Sequence, residues 1–278
     1  LARVKTFKRV ALCATLFLLT SCSSNPFQNP KDLARSLSTQ QNFKPIQLHT
    51  SKFTLQGFIQ QRNSQNIHIY IEGDGLAWAD LYEISDDPTP KDPLALRLAF
   101  EDNTSNTVLY LARPCQYLKT SSCDPYYWTF GRFDPVIIDA FNEALNQVKK
   151  ALHASNFALL GYSGGGAVAL LVAAHRHDVK EVVTFAGTLD PDRWASLHDY
   201  TPLQGSLKPT SFTDKLKHIP QTHYIGKDDD EMPPQVSQSY LKYFKDAQHI
   251  KIIEVPHVNH WEGWIDFWKI HLKKKGIN

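Results

Sequence analysis

Apolar and polar positions change rhythm along the chain. Phe43-Lys-Pro-Ile-Gln-Leu48 and Phe53-Thr-Leu-Gln-Gly-Phe-Ile59 alternate with a period near two, which predicts an opening strand hairpin with one buried face. Farther on, short apolar or β-branched strings at 67–71, 108–111, 157–160, 182–185, 222–225 and 250–255 suit strands buried on both sides. Amphipathic stretches at 93–100, 135–153, 164–175 and 236–244 separate them. In the second of these, Ile138, Phe141, Leu145, Val148 and Leu152 recur at helical spacing. Strands alternating with helices imply an α/β fold, a mainly parallel central sheet with helices on both faces. No internal repeat or second shift in composition divides residues 43–278, so one domain is expected there.

The first residues follow a different pattern. Arg3, Lys5, Lys8 and Arg9 precede an apolar run over 10–19 that is about half the roughly 20 residues a spanning helix needs. A secretory signal over 1–21 explains it better than a permanent span. Leu19-Thr20-Ser21-Cys22 resembles the bacterial lipobox, whose cysteine takes a diacylglycerol and becomes the mature N-terminus. The resemblance implies that Cys22 is a lipid anchor. Ser23 after it matches the pattern that directs such proteins to the outer membrane, here facing the periplasm. Residues 22–42, rich in Ser, Asn, Gln and Pro, then read as a flexible tether.

Composition narrows the function classes. Hydrophobic residues at 42% and charged residues at 21% fit an ordinary folded domain and argue against a disordered chain or a membrane bundle. A net charge of +2 lacks the basic bias of proteins that bind nucleic-acid phosphates. Of the four cysteines, the resemblance implies that Cys13 would leave with the signal and Cys22 would carry lipid, leaving Cys115 and Cys123 in an oxidising compartment. Two readings stay open for that pair, a disulfide or two buried free thiols.

Chemistry concentrates at Phe157-Ala-Leu-Leu-Gly161-Tyr-Ser163-Gly164-Gly165-Gly166-Ala-Val. This is G-x-S-x-G between an apolar strand and an Ala/Val/Leu helix. A bare G-x-S-x-G arises by chance in about one chain of this size in ten, so the flanking strand and helix carry the signal. A serine on that turn is raised above the sheet edge, and the helix that follows points its N-terminus at an oxyanion formed on attack. Ser163 is the candidate nucleophile.

From about 65 to 265 the chain resembles the α/β-hydrolase superfamily. Leu111-Ala-Arg-Pro-Cys115-Gln-Tyr117, Cys123 and Trp128-Thr-Phe-Gly-Arg-Phe133 are similar to a bacterial lipoprotein branch of it. The family orders its machinery Ser, then Asp or Glu, then His. By resemblance to the family's acid turn, where an aspartate stands four residues before proline, Asp229 before Pro233 is the orienting acid. Asp228 and Asp230 compete, and an acidic surface loop is the bland alternative. His260, in His260-Trp-Glu-Gly-Trp264, is similar to the family's base, with His257 as competitor. His257 and His260 lack the third ligand of a zinc site, and neither metal nor cofactor is expected. The family's second oxyanion donor lies after the first central strand. Here that loop reads Glu72-Gly73-Asp74-Gly75 where many hydrolases have His-Gly, so the amides of Asp74 and Gly164 are the expected donors.

The resemblance implies a membrane-anchored serine hydrolase that cleaves an ester or related acyl bond through an acyl-enzyme. Its substrate would be a small molecule or a lipid. A non-catalytic surface lipoprotein on a hydrolase scaffold is the alternative, and peptidase or acyltransferase chemistry on the same fold is another. Arg113, Tyr117 and Arg132 either line a polar pocket or form structural salt bridges. Residues 191–220 are either a small cap over the site or a surface loop.

Overall fold

A computed structural model describes residues 29–80 and 82–274. The expected signal over 1–21 and the Cys22 anchor lie outside these residues. An eight-stranded sheet runs in the order β1-β2-β4-β3-β5-β6-β7-β8. The opening hairpin is β1 (Lys44–His49) and β2 (Thr54–Gln60), paired antiparallel. β2 also pairs antiparallel with β4 (Thr107–Leu111). All remaining pairings, through β3 (Asn66–Ile71), β5 (Asn156–Tyr162), β6 (Val179–Phe185), β7 (Gln221–Gly226) and β8 (Ile250–Val255), are parallel. The sheet is therefore mainly parallel, as the alternation of elements requires.

From β3 the chain steps to β4 through α2 (Leu94–Phe100), then returns past β3 to β5 through α3 (Pro135–Leu152). Right-handed crossovers in opposite directions place α2 and α3 on opposite faces. Contacts agree: α2 meets α8 (Trp264–Lys274), whereas α3 meets α4 (Gly164–Ala173). Every residue of α4 is buried, which explains its uniformly apolar composition. α7 (Pro234–Lys242) covers β7. The reversal at β3 opens a crevice outside the carboxyl ends of β3 and β5, where open α/β sheets bind ligands.

The tether reading of 22–42 needs correction. Its second half forms α1 (Pro30–Gln40), capped by Asn29, whose side chain accepts a hydrogen bond from the Lys31 amide at 2.9 Å. Ala34 and Ser38 are buried and Leu33 and Leu37 half-buried, a helical stripe that docks α1 beside β1. The folded body thus begins before residue 43.

Residues 191–220 are more than a plain surface loop. They fold into α5 (Pro191–Leu197), a 3-10 turn over Pro209–Phe212 and α6 (Thr213–Leu216). Trp194, Leu203 and Leu216 are buried. The Leu207 amide bonds the Phe133 carbonyl at 2.9 Å, so the segment packs onto the body. Cys115 and Cys123 form a disulfide, with 5.7 Å between their Cα atoms, which sets aside the free-thiol reading.

Candidate active site

Ser163 stands between β5 and α4 with φ 51° and ψ −123°, a conformation foreign to ordinary L-residues. The fold holds it there. Its amide donates to the Phe185 carbonyl at the end of β6, 2.9 Å away, and its carbonyl accepts from Thr188 at 3.1 Å. The turn is so tight that a Cβ on Gly165 would sit 2.3 Å from the Ile71 carbonyl oxygen. Only glycine lets α4 start this close to β3.

Asp229 and His260 approach from two later strand ends. β7 and β8 pair through to Gly226 and Val255. Beyond the sheet, the Lys227 amide bonds Val255 at 2.9 Å and the Asp228 amide bonds Val258 at 3.0 Å, tying the acid turn to the base loop. Asp229 Oδ1 accepts from the Met232 amide at 2.7 Å, which leaves Oδ2 facing His260 Nδ1 at 3.0 Å. His260 Nε2 lies 3.1 Å from Ser163 Oγ. When Nδ1–H donates to the carboxylate, Nε2 keeps its lone pair for the serine proton, the geometry a general base needs.

The competitors separate by burial. Asp229 is buried, whereas Asp228 and Asp230 are exposed. His260 is buried, whereas His257 is exposed at φ 59° in the turn after β8. Two residues that the sequence did not single out anchor His260. The Tyr162 hydroxyl and the Trp264 indole N–H donate to the His260 carbonyl at 2.9 and 3.1 Å. The Gly-Trp that follows the histidine was the available signal for Trp264.

A cleft of about 440 Å³ opens beside His260. His198 from the 191–220 segment, the exposed ring of Trp261 and the carboxylates of Asp228, Asp230 and Glu231 line it with His260. Among the described residues no cluster of three or more His, Cys, Asp or Glu side chains suits a metal ion.

Asp74 follows β3 and lies against α4. Its carboxylate pairs with Arg113 at 2.9 Å and Arg132 at 2.7 Å, so these arginines make salt bridges rather than a free polar pocket. Burial pushes the Asp74 carboxyl upward, but the two guanidinium groups outweigh it and hold it below the usual range. The Tyr117 hydroxyl is 3.5 Å from that of Tyr110. Tyr110 in turn donates to Glu72 Oε2 at 3.1 Å.

A family model described as Serine hydrolase (FSH1) matches residues 94–260, more than half of the chain. The chain belongs to this serine hydrolase family. The match spans Ser163, Asp229 and His260 and leaves the Asp74 loop outside it. No curated protein sequence matches the hydrolase. Among solved structures it is similar to Est1E from Butyrivibrio proteoclasticus, with a TM-score of 0.59 and 13% identity over 84% of this chain and 97% of that one. The Pyrococcus furiosus esterase PF2001 gives a TM-score of 0.62 and 13% identity over 85% and 91%. XC6422 from Xanthomonas campestris, an α/β serine hydrolase without a lid, gives 0.55 and 13% over 84% and 94%. Identities this low establish a shared fold, that of the α/β serine hydrolases.

Glu72 is where the expected histidine is replaced, and it braces the loop that carries Asp74. Its Oε1 accepts from the amides of Gly73 at 2.9 Å and Ala95 at 3.4 Å. Burial raises its carboxyl from 4.5 to about 7, against the pull of those hydrogen bonds and that of Tyr110. Between these two values the folded hydrolase holds a proton that the unfolded chain has released, so stability falls as pH rises through this window. Glu72→Gln keeps the acceptor and removes the titration. Urea unfolding from pH 4.5 to 8 should show the wild type losing roughly 2–3 kcal/mol relative to the variant.

Proposed function

We propose that Ser163, His260 and Asp229 are the nucleophile, base and orienting acid of an esterase that works through an acyl-enzyme. The observation that carries this reading is the unbroken hydrogen-bonded chain from Asp229 Oδ2 through both ring nitrogens of His260 to Ser163 Oγ. A scaffold kept only for binding has no need of a serine in a strained conformation aimed at an imidazole.

In this reading His260 Nε2 takes the Ser163 hydroxyl proton as Oγ bonds to the ester carbonyl carbon. The carbonyl oxygen becomes an oxyanion, which the main-chain N–H groups of Asp74 and Gly164 receive. When the tetrahedral adduct collapses, the carbon–oxygen bond to the alcohol breaks and His260 returns the proton to the departing oxygen. Water then bonds to the acyl carbon as His260 takes its proton; the bond to Oγ breaks as His260 returns that proton to Ser163, and the acyl group leaves as a carboxylic acid that ionises in solvent. The carboxylates of Asp228, Asp230 and Glu231 at the cleft repel that anionic product, which favours a neutral acyl substrate, a small molecule or a lipid.

The reading extends to location. Cys22 carries a lipid that holds the hydrolase to the bacterial envelope, at the outer membrane facing the periplasm. The Leu-Thr-Ser-Cys pattern supports this.

Turnover of a panel of p-nitrophenyl acyl esters tests the chemistry. Ser163→Ala should abolish it, and Asp229→Asn should lower kcat on the order of 10³–10⁴-fold. A folded Ser163→Ala protein that retains activity would refute the assignment. For the anchor, Cys22→Ala should end incorporation of labelled fatty acid and release the hydrolase from membranes, and unchanged labelling would contradict it.

A further inference from the structure

A second group of buried charges surrounds Asp74. Arg113 Nη1 grips Oδ1 and Arg132 Nη1 grips Oδ2, and the arginine side chains are only 5% and 9% exposed. The arginines are themselves held. Arg113 Nη2 donates to the Arg132 carbonyl, and Arg132 Nε donates to the Thr129 carbonyl at 2.7 Å. Arg113 lies over the Phe133 ring and Arg132 over the Trp194 ring, with guanidinium carbons 5.5 and 5.6 Å from the ring centroids. A buried cluster of this kind is a poor source of stability, because desolvating three charges consumes most of their attraction.

Its location suggests another use. A Cβ placed on Gly164 would fall 2.1 Å from Asp74 Oδ1, so the carboxylate lies against the residue that follows Ser163. Unpaired, that carboxylate would repel an oxyanion forming at Ser163. Paired with two guanidinium groups, the cluster instead carries one positive charge in excess.

We propose that Arg113 and Arg132 are positioning residues of the hydrolase: by clamping both oxygens of Asp74 they aim its main-chain N–H at the oxyanion and reverse the charge the oxyanion meets. The proposal rests on the reading of Ser163 as nucleophile and of the Asp74 amide as donor. The arginines need not touch substrate. They act through Asp74, whose loop is further fixed by Gln116 Nε2 donating to the Gly73 carbonyl at 3.0 Å.

The signature of such a role is loss of transition-state stabilisation without loss of substrate binding. Arg132→Gln and Arg132→Lys, each checked by near-UV circular dichroism and thermal unfolding, are compared with the wild type on one p-nitrophenyl ester. The same proteins are titrated with an aryl trifluoromethyl ketone, which adds to the serine as a hemiketal oxyanion. In Arg132→Gln, kcat should fall roughly 30-fold and the inhibitor constant rise by a similar factor, while KM stays within about 2-fold. Arg132→Lys keeps the charge but loses the planar fork, so both effects should be intermediate.

A folded Arg132→Gln protein with kcat and inhibitor constant within about 2-fold of wild type overturns the proposal. Should the glutamine variant not fold, an unchanged inhibitor constant in Arg132→Lys overturns it equally. A wild type that hydrolyses no ester overturns the esterase reading and the clamp with it, whereas an active wild type beside an unaffected variant removes the clamp alone.

Discussion

The whole site depends on one strained backbone position. Ser163 has φ 51°, and a non-glycine residue held in such a region costs on the order of 1–3 kcal/mol. The strain persists because the surroundings over-determine it: β6 holds the serine's amide, and the wholly buried α4 is packed so closely on β3 that its second residue has no room for a side chain. Relaxing the serine would pull α4 out of the core. The stability of the sheet is thereby converted into the placement of one hydroxyl.

Three other strand ends supply what that hydroxyl needs. β3 leads into the Asp74 loop, β7 into the acid turn and β8 into the base loop, and the parallel register brings their carboxyl ends to the same edge of the sheet. Each loop is then tied independently, by Glu72 and Gln116 behind Asp74, by Met232 at Asp229, and by Tyr162 and Trp264 at His260. Hydrogen bonds to backbone groups, rather than contacts among the reacting side chains, set most of the geometry. In the proposed esterase reaction, such preorganisation would let an oxyanion meet dipoles that need not turn to receive it.

Much of this was legible in the chain. Five of the six expected strands are buried apolar runs, as the parallel sheet demands, whereas β8 lies at the sheet edge with Lys251, Ile253 and Glu254 exposed. The four helices stand where expected, but α4, expected to be amphipathic, is buried on all sides. Ser163 was legible because only glycines tolerate its turn. Helix α1 was not, since Leu33, Ala34 and Leu37 form a weak stripe in a polar stretch, although Asn29-Pro30 before it is a helix start. Among Asp228, Asp229 and Asp230 composition is silent; the choice depends on which one is buried against the Met232 amide. The clamp on Asp74 lies beyond any local pattern, because its arginines are 39 and 58 residues away along the chain.

The central claim is that one side chain among all the hydroxyls of this protein is chemically primed. Treating the native chain with a fluorophosphonate and mapping the adduct by peptide mass spectrometry tests it most directly. A single modification is expected on the peptide that carries Ser163, absent when the chain is unfolded before treatment and greatly slowed in His260→Ala. An unmodified Ser163 in the native chain, or labelling that ignores the loss of His260, would contradict it.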